Sequence, residues 1–472
     1  MSSTACLNGW NVTARSFRRE VKMEKKNRRR KNRLRTKITI FCVLTCILVL
    51  SIVALFYVIS KDTGKKESKS KQMTESIQDS GRKVQTEEAT ETESTEIQEE
   101  ESLPEETRTE ELETEEVSAM DLDRLLDHMT LEEKVAQLFV VAPEALTGVD
   151  AATAAGDTTR AAINDYPVGG FVYFQNNIVS EEQFTGMVQN VQRYSEERTG
   201  LPMLICIDEE GGTVARISGK GVISVPDIPS MYEVGSTGSP DEAYQTGGTI
   251  GGYLNRLQIN VDFAPVADVL SNPENTVIGS RSFGSDPEMV GEMVAAEVKG
   301  LKEQGVLTTL KHFPGHGDTA QDSHSGAAYS YKTMDELREC ELIPFRAGIE
   351  AGADLVMMGH ISLPNILEDD TPASLSYTMV TEVLRDELGF DGVVITDGMN
   401  MGAIASQYTS GDAAVRAIQA GGDMILMSAD FYGAYDGVLS AVQSGTISEG
   451  RLDQSLRRIF ALKEKLIKQV IS

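Results

Sequence analysis

Val306-Leu307-Thr308-Thr309-Leu310-Lys311-His312-Phe313-Pro314-Gly315-His316-Gly317-Asp318-Thr319-Ala320-Gln321-Asp322-Ser323-His324 begins as one kind of polypeptide and ends as another. Residues 306–310 are apolar or β-branched, which reads as a buried strand. From Lys311 on, the run turns polar and takes in two glycines, a proline and three of the five histidines in the chain. That is a strand delivering a long loop equipped for chemistry. Val393-Val394-Ile395-Thr396-Asp397-Gly398 ends in the same way, on a carboxylate. The two strand ends read as two halves of one site.

Working outward, further strand-like runs occur at 138–141, 170–174, 203–207, 261–263, 355–358 and 424–427. Between most of them lie helical stretches. Thr130-Leu131-Glu132-Glu133, Ser180-Glu181-Glu182-Gln183 and Thr333-Met334-Asp335-Glu336 have the form of capping boxes that open helices. Strand alternating with helix predicts parallel β/α architecture. Eight strands over about 350 residues suit a single (β/α)8 TIM-type barrel better than an open doubly wound sheet. A last helix over 451–468 leaves no room for a second folded domain, so 119–472 is expected to be one barrel domain. In such a barrel the polar residues after each strand share one rim. They are Asp208-Glu209-Glu210-Gly211-Gly212 with Arg216, then Asp268, the loop with Arg281, then Lys311 and His312, His360, and Asp397.

The first 118 residues are different material. Residues 1–37 carry 13 Lys/Arg against two Glu. Residues 38–60 hold no charge and, as a helix, would span roughly 34 Å, enough to cross a bilayer. A cleaved signal peptide is the competing reading, but the run is too long and no small-x-small cleavage site follows. The expectation is a retained single-pass anchor in the lipid bilayer, its basic tail (1–37) cytoplasmic and everything after Ser60 outside. Residues 61–118 carry 19 Asp/Glu against eight Lys/Arg and almost no large apolar side chains. They read as a disordered acidic stalk, a spacer without a specific partner.

The barrel segment itself holds the entire formal charge of −28, since the tail and the stalk cancel. That excludes nucleic acid as a partner, which needs a basic face. Only two of the five cysteines, Cys206 and Cys340, lie in it. No disulfide framework, metal-ligand pattern or cofactor is expected.

Lys311-His312-Phe313-Pro314-Gly315-His316-Gly317 with Asp322-Ser323-His324 resembles the signature of glycoside hydrolase family 3, in its single-domain β-N-acetylglucosaminidase type. Asp208-Glu209-Glu210-Gly211-Gly212, Ile278-Gly279-Ser280-Arg281-Ser282-Phe283-Gly284, Thr396-Asp397 with Met401-Gly402-Ala403, and Arg451-Leu452-Asp453 support it. The resemblance covers roughly 120–466. It implies Asp397 as nucleophile, Asp322 and His324 as an acid–base dyad, and Asp208, Arg216, Arg281, Lys311 and His312 as ligands of sugar hydroxyls. Two positions depart from the pattern: Thr213 stands where Arg is usual and Glu209 where Gln is usual.

The residue types suit the chemistry. Retaining cleavage of a glycosidic bond needs a carboxylate on one face and a proton donor at the leaving oxygen. A histidine with an ordinary pKa near ~6.5 can donate at neutral pH, and a nearby Asp can hold its tautomer. With the anchor read from residues 38–60, the resemblance implies an exo-acting, membrane-anchored extracellular enzyme acting on peptidoglycan- or chitin-derived sugars. Phosphorolysis and a β-glucosidase remain alternatives within the family. A catalytically silent wall-binding module is the alternative of another class, which the retained acid and nucleophile oppose.

Overall fold

The computed structural model describes residues 122–471 except 321, 324, 325 and 368. The expected cytoplasmic tail, membrane anchor and acidic stalk therefore lie outside the described residues, as does His324. All described residues belong to one compact unit.

Eight parallel strands form the barrel: β1 (Phe139–Val141), β2 (Gly170–Val172), β3 (Leu204–Ile207), β4 (Val261–Asp262), β5 (Leu307–Phe313), β6 (Leu355–Met358), β7 (Val393–Thr396) and β8 (Ile425–Leu426). Each pairs with its sequence neighbour from β1 through β7, and β8 returns to β1 with Phe139 beside Ile425. The ring closes between β7 and β8, where Ile395 bridges Met424 and the Thr396 amide donates to the Met424 carbonyl at 3.1 Å. The open-sheet alternative is thereby excluded. Strands covered on both faces read as unbroken apolar runs, which is why they were visible in sequence.

The three capping boxes are present, at Thr130, Ser180 and Thr333, and Ser230 adds a fourth. The helix 287–303 packs on 240–256 and the helix 342–350, in the outer layer of a barrel. The last helix runs Glu449–Ile471, longer than its sequence pattern suggested. It holds the opposite end of the barrel from the loops. Asp453 pairs with Lys134 at 2.9 Å, and Ser455 donates to buried Asp423, which also accepts the Val394 amide. Among the described residues no helix is long and apolar enough to cross a membrane.

One expectation is corrected. The sequence pattern ends the central strand at Leu310 and opens the loop at Lys311. In the structure β5 continues through Lys311 and His312 to Phe313. Lys311 and His312 persist in this buried strand because Asp208, Glu210 and Asp268 pair with them.

Candidate active site

The rim at the carboxyl ends of the strands gathers Asp208 from β3, Lys311 and His312 from β5, His360 from β6 and Asp397 from β7. Arg216 and Arg281 reach it from the loops after β3 and β4.

Lys311 is buried, yet carries its charge. Burial works against that charge, but Asp208 and Glu210 outweigh it and hold the ammonium above its ordinary pKa. Its Nζ donates to Asp208 Oδ1 at 2.8 Å and pairs with Glu210 Oε1 at 2.6 Å. Arg281 clasps the same Glu210 bidentately, Nε to Oε2 at 2.7 Å and Nη2 to Oε1 at 2.8 Å. Burial would raise the Glu210 carboxyl, but Arg281 and Lys311 bring it down to about 2. On the other side, Arg216 Nη2 lies 3.3 Å from Asp208 Oδ2, and its guanidinium sits over the Phe174 ring. Acids and bases thus alternate from Arg216 through Asp208, Lys311 and Glu210 to Arg281. Lys311 spends two of its three protons on these two carboxylates.

His312 has a defined tautomer. Arg281 Nη2 lies 3.3 Å from His312 Nε2, and a guanidinium can only donate. In its neutral form the ring therefore holds its proton at Nδ1, which donates to Asp268 Oδ2 at 2.7 Å. Asp268 Oδ1 accepts the backbone amides of both His312 (3.1 Å) and His316 (2.6 Å). One buried carboxylate thus orients the end of β5 and the start of the loop after it. Burial opposes the charge of Asp268, but His312 and His316 keep its pKa below the ordinary value.

Asp397 follows β7 directly. Its amide donates to the Met358 carbonyl at 2.9 Å, and its Oδ1 accepts the Gly398 amide at 2.7 Å. Burial would raise its pKa. The imidazoles of His312 and His360, the Gly398 amide and Lys311 outweigh that and lower it, so the carboxylate is ionised at neutral pH. His360 in turn donates from Nε2 to the Gly398 carbonyl at 3.1 Å, while its Nδ1 meets Ser374 Oγ at 2.8 Å.

The loop after β5 is anchored at several points. Gly317 crosses so close to Val269 that a Cβ would stand 1.7 Å from its carbonyl oxygen, so only glycine passes there. Asn275 donates to the His316 carbonyl at 2.8 Å. The buried His316 ring meets Thr319 Oγ1 at Nδ1 (2.7 Å) and Ser323 Oγ at Nε2 (3.0 Å). The Ser323 carbonyl accepts the Ala403 amide at 3.1 Å, from the segment just after Asp397. Ser323 is therefore stitched to both strand-end loops. Its neighbour Asp322 is exposed.

The structure brings six of the eight sequence-selected residues onto one rim, Asp208, Arg216, Arg281, Lys311, His312 and Asp397. Asp322 lies on the adjoining loop, and His324 is outside the described residues. Glu210, Asp268, His316 and Ser323 carry much of the geometry and had been given no role. Glu210 and Asp268 each follow an apolar strand, which is the signal that marked Asp208 and Asp397. The unusual Glu209 is structural: its buried carboxylate accepts the Ile217 and Ser218 amides, the Ser218 hydroxyl and the Tyr253 hydroxyl at 2.7–2.9 Å. It folds back the hairpin that bears Arg216. Thr213 is exposed on that hairpin, and nothing in the structure explains the replacement. Among the described residues no group of three or more His, Cys, Asp or Glu side chains is arranged to hold a metal ion.

Eight parallel strands with an ionised Asp beside a charged rim at their carboxyl ends make this a (β/α)8 barrel with its polar groups gathered where such barrels carry their sites. The chain belongs to glycosyl hydrolase family 3, whose N-terminal domain matches residues 130–462. It is 34% identical over 325 residues to "Beta-hexosaminidase A" of Pseudoalteromonas piscicida, covering 64% of this chain but only 54% of that protein. It is also 34% identical over 343 residues to "Beta-hexosaminidase LpqI" of Mycobacterium tuberculosis, covering 70% of this chain and 82% of the relative. Among solved structures, a glycoside hydrolase family 3 beta-N-acetylglucosaminidase from Paenibacillus sp. str. FPU-7 matches with a TM-score of 0.68 and 38% identity. That match covers 72% of this chain and 63% of the other.

Proposed function

We propose that the protein is an exo-acting, retaining β-N-acetylglucosaminidase held on the outer face of a membrane by residues 38–60. One observation carries the reading: the Asp397 carboxylate is kept ionised among His312, His360 and Lys311, beside a lattice built to grip hydroxyls. In the first step one Asp397 oxygen attacks the anomeric carbon. The glycosidic oxygen leaves with a proton from His324, whose tautomer Asp322 holds. Gly398 fixes Oδ1, which leaves Oδ2 to attack. In the second step His324 takes a proton from water, which displaces the Asp397 ester. Asp208, Arg216, Arg281, Lys311 and His312 bind the hydroxyls of the cleaved sugar. The names of the relatives support the 2-acetamido preference; no spacing in this chain does so by itself. Fragments of peptidoglycan or chitin are the natural substrates on this reading.

The test is a panel of aryl β-glycosides offered to the full chain, with and without inorganic phosphate. Preference for the N-acetyl-β-glucosaminide, unchanged by phosphate, is expected. Comparable kcat/KM on the β-glucoside would overturn the sugar assignment, and phosphate-dependent turnover would make the enzyme a phosphorylase.

A further inference from the structure

Asp397 directly follows β7, and Met427 directly follows β8, the next strand round the ring. Among the described residues, only Gln258 and Met427 combine a side chain with a positive φ, which is 45° at Met427. That conformation is uncommon outside glycine and persists where the surroundings impose it. Here the surroundings are the strands on both sides. The Leu426 amide donates to Thr396 Oγ1 at 3.1 Å, and the Leu426 carbonyl accepts the Met399 amide at 2.9 Å. The Met427 amide donates to the Val140 carbonyl on β1 at 2.9 Å.

So held, the Met427 side chain reaches Gly398. A Cβ placed on Gly398 would stand 3.3 Å from Met427 Cε, 3.7 Å from Met401 Cγ and 3.0 Å from Asn400 Oδ1. Gly398 is the residue whose amide fixes Asp397 Oδ1. The thioether therefore lies against the backbone that holds the Asp397 carboxylate. Met427 is partly exposed, Asn400 is exposed and Met401 is buried.

We propose that Met427 is the apolar wall that receives the 2-acetamido group and selects for it. The proposal rests on the reading above, in which Asp397 bonds to the anomeric carbon. The acetamido group is borne by the neighbouring carbon, so it stays close to Asp397. Round the ring, the ionic lattice comes from β3, β5 and the loops after β3 and β4, on one side of β7. Met427 comes from β8, on the other side. The two sides suit different groups. A methyl group set among Asp208, Lys311, Glu210 and Arg281 would strip water from charges and offer no hydrogen bond in return. Laid on a thioether, the same methyl leaves water for an apolar and adaptable surface. The Asn400 carboxamide beside it can accept from the acetamido N–H and donate to its carbonyl. A methionine kept in glycine's conformation next to a reactive carboxylate is a local outlier that a ligand contact explains.

The test uses the full chain and two nitrophenyl β-glycosides, the 2-acetamido and the 2-butyramido sugar. Met427→Gly removes the wall and suits the positive φ, so the fold should hold. It should raise the butyramido-to-acetamido ratio of kcat/KM about tenfold, because the longer acyl chain fills the space that the thioether leaves. General damage to the site would slow both substrates alike and leave the ratio in place. A ratio that moves less than about threefold, whatever the overall rate, overturns the assignment. If the wild type cleaves neither glycoside, the hydrolase reading fails, and calorimetry with N-acetylglucosamine and N-butyrylglucosamine tests the wall by itself. A shift of about tenfold in the ratio of their Kd values on Met427→Gly upholds it. An unchanged ratio, or no binding of either sugar, overturns it.

Discussion

At the scale of single residues, the site is a set of buried charges that hold one another in place. Lys311 meets Asp208 and Glu210 across 103 and 101 positions of sequence. That distance is why the motif made Lys311 conspicuous while its partner Glu210 passed without a role. Not every buried charge is so provided. Glu297, on the helix 287–303, is fully buried with neither carboxyl oxygen partnered. Burial pushes its pKa up to about 8, with the Glu210 charge adding to this and Lys311 opposing it. Below pH 4.5, the ordinary carboxyl value, both the folded and unfolded chains hold this proton. Between there and pH 8 only the folded chain holds it, so stability falls as pH rises through that window. Glu297→Gln should therefore gain on wild type with rising pH, by on the order of 2 kcal/mol between about pH 5 and about pH 8. Thermal unfolding across that range checks it, and a constant difference between the two proteins would contradict the burial argument.

At the scale of elements, strands and caps were legible because each is written locally. β6 and β7 fall on the residues their apolar runs marked, and the boxes at Thr130, Ser180 and Thr333 close as their spacing implied. The far end of β5 was not legible, because Lys311 and His312 look like loop until Asp208, Glu210 and Asp268 are brought beside them. The anchoring of the next loop was hidden for the same reason. Ser323 joins it to His316 on one side and Ala403 on the other. Ser323→Ala leaves the buried His316 ring without one partner, which should cost about 1–2 kcal/mol of stability. It should also cost more activity on chitobiose than on an activated nitrophenyl glycoside, since only the former depends on a well-placed proton. An equal loss on both substrates would make Ser323 a purely structural residue.

At the scale of the whole molecule, three materials follow one another along the chain: a basic tail with an uncharged run, an acidic segment, and the barrel. The proposal of an outward anchor rests on the first two. Protease added to intact cells should release the active barrel by cutting within 61–118, whereas a mature N-terminus just after Ser60 would contradict the anchor. The central claim concerns the barrel, that Asp397 forms a covalent bond to the sugar while His324 serves the leaving group and then the water. Removing His324 should let a nitrophenyl N-acetyl-β-glucosaminide load the enzyme while slowing its release. The most direct measurement is mass spectrometry of the full-length His324→Ala protein, quenched during turnover of that substrate and digested. One N-acetylhexosaminyl residue is expected on the peptide containing Asp397, and none in His324→Ala/Asp397→Ala. An adduct on another residue, or rapid turnover by the double variant, would contradict it.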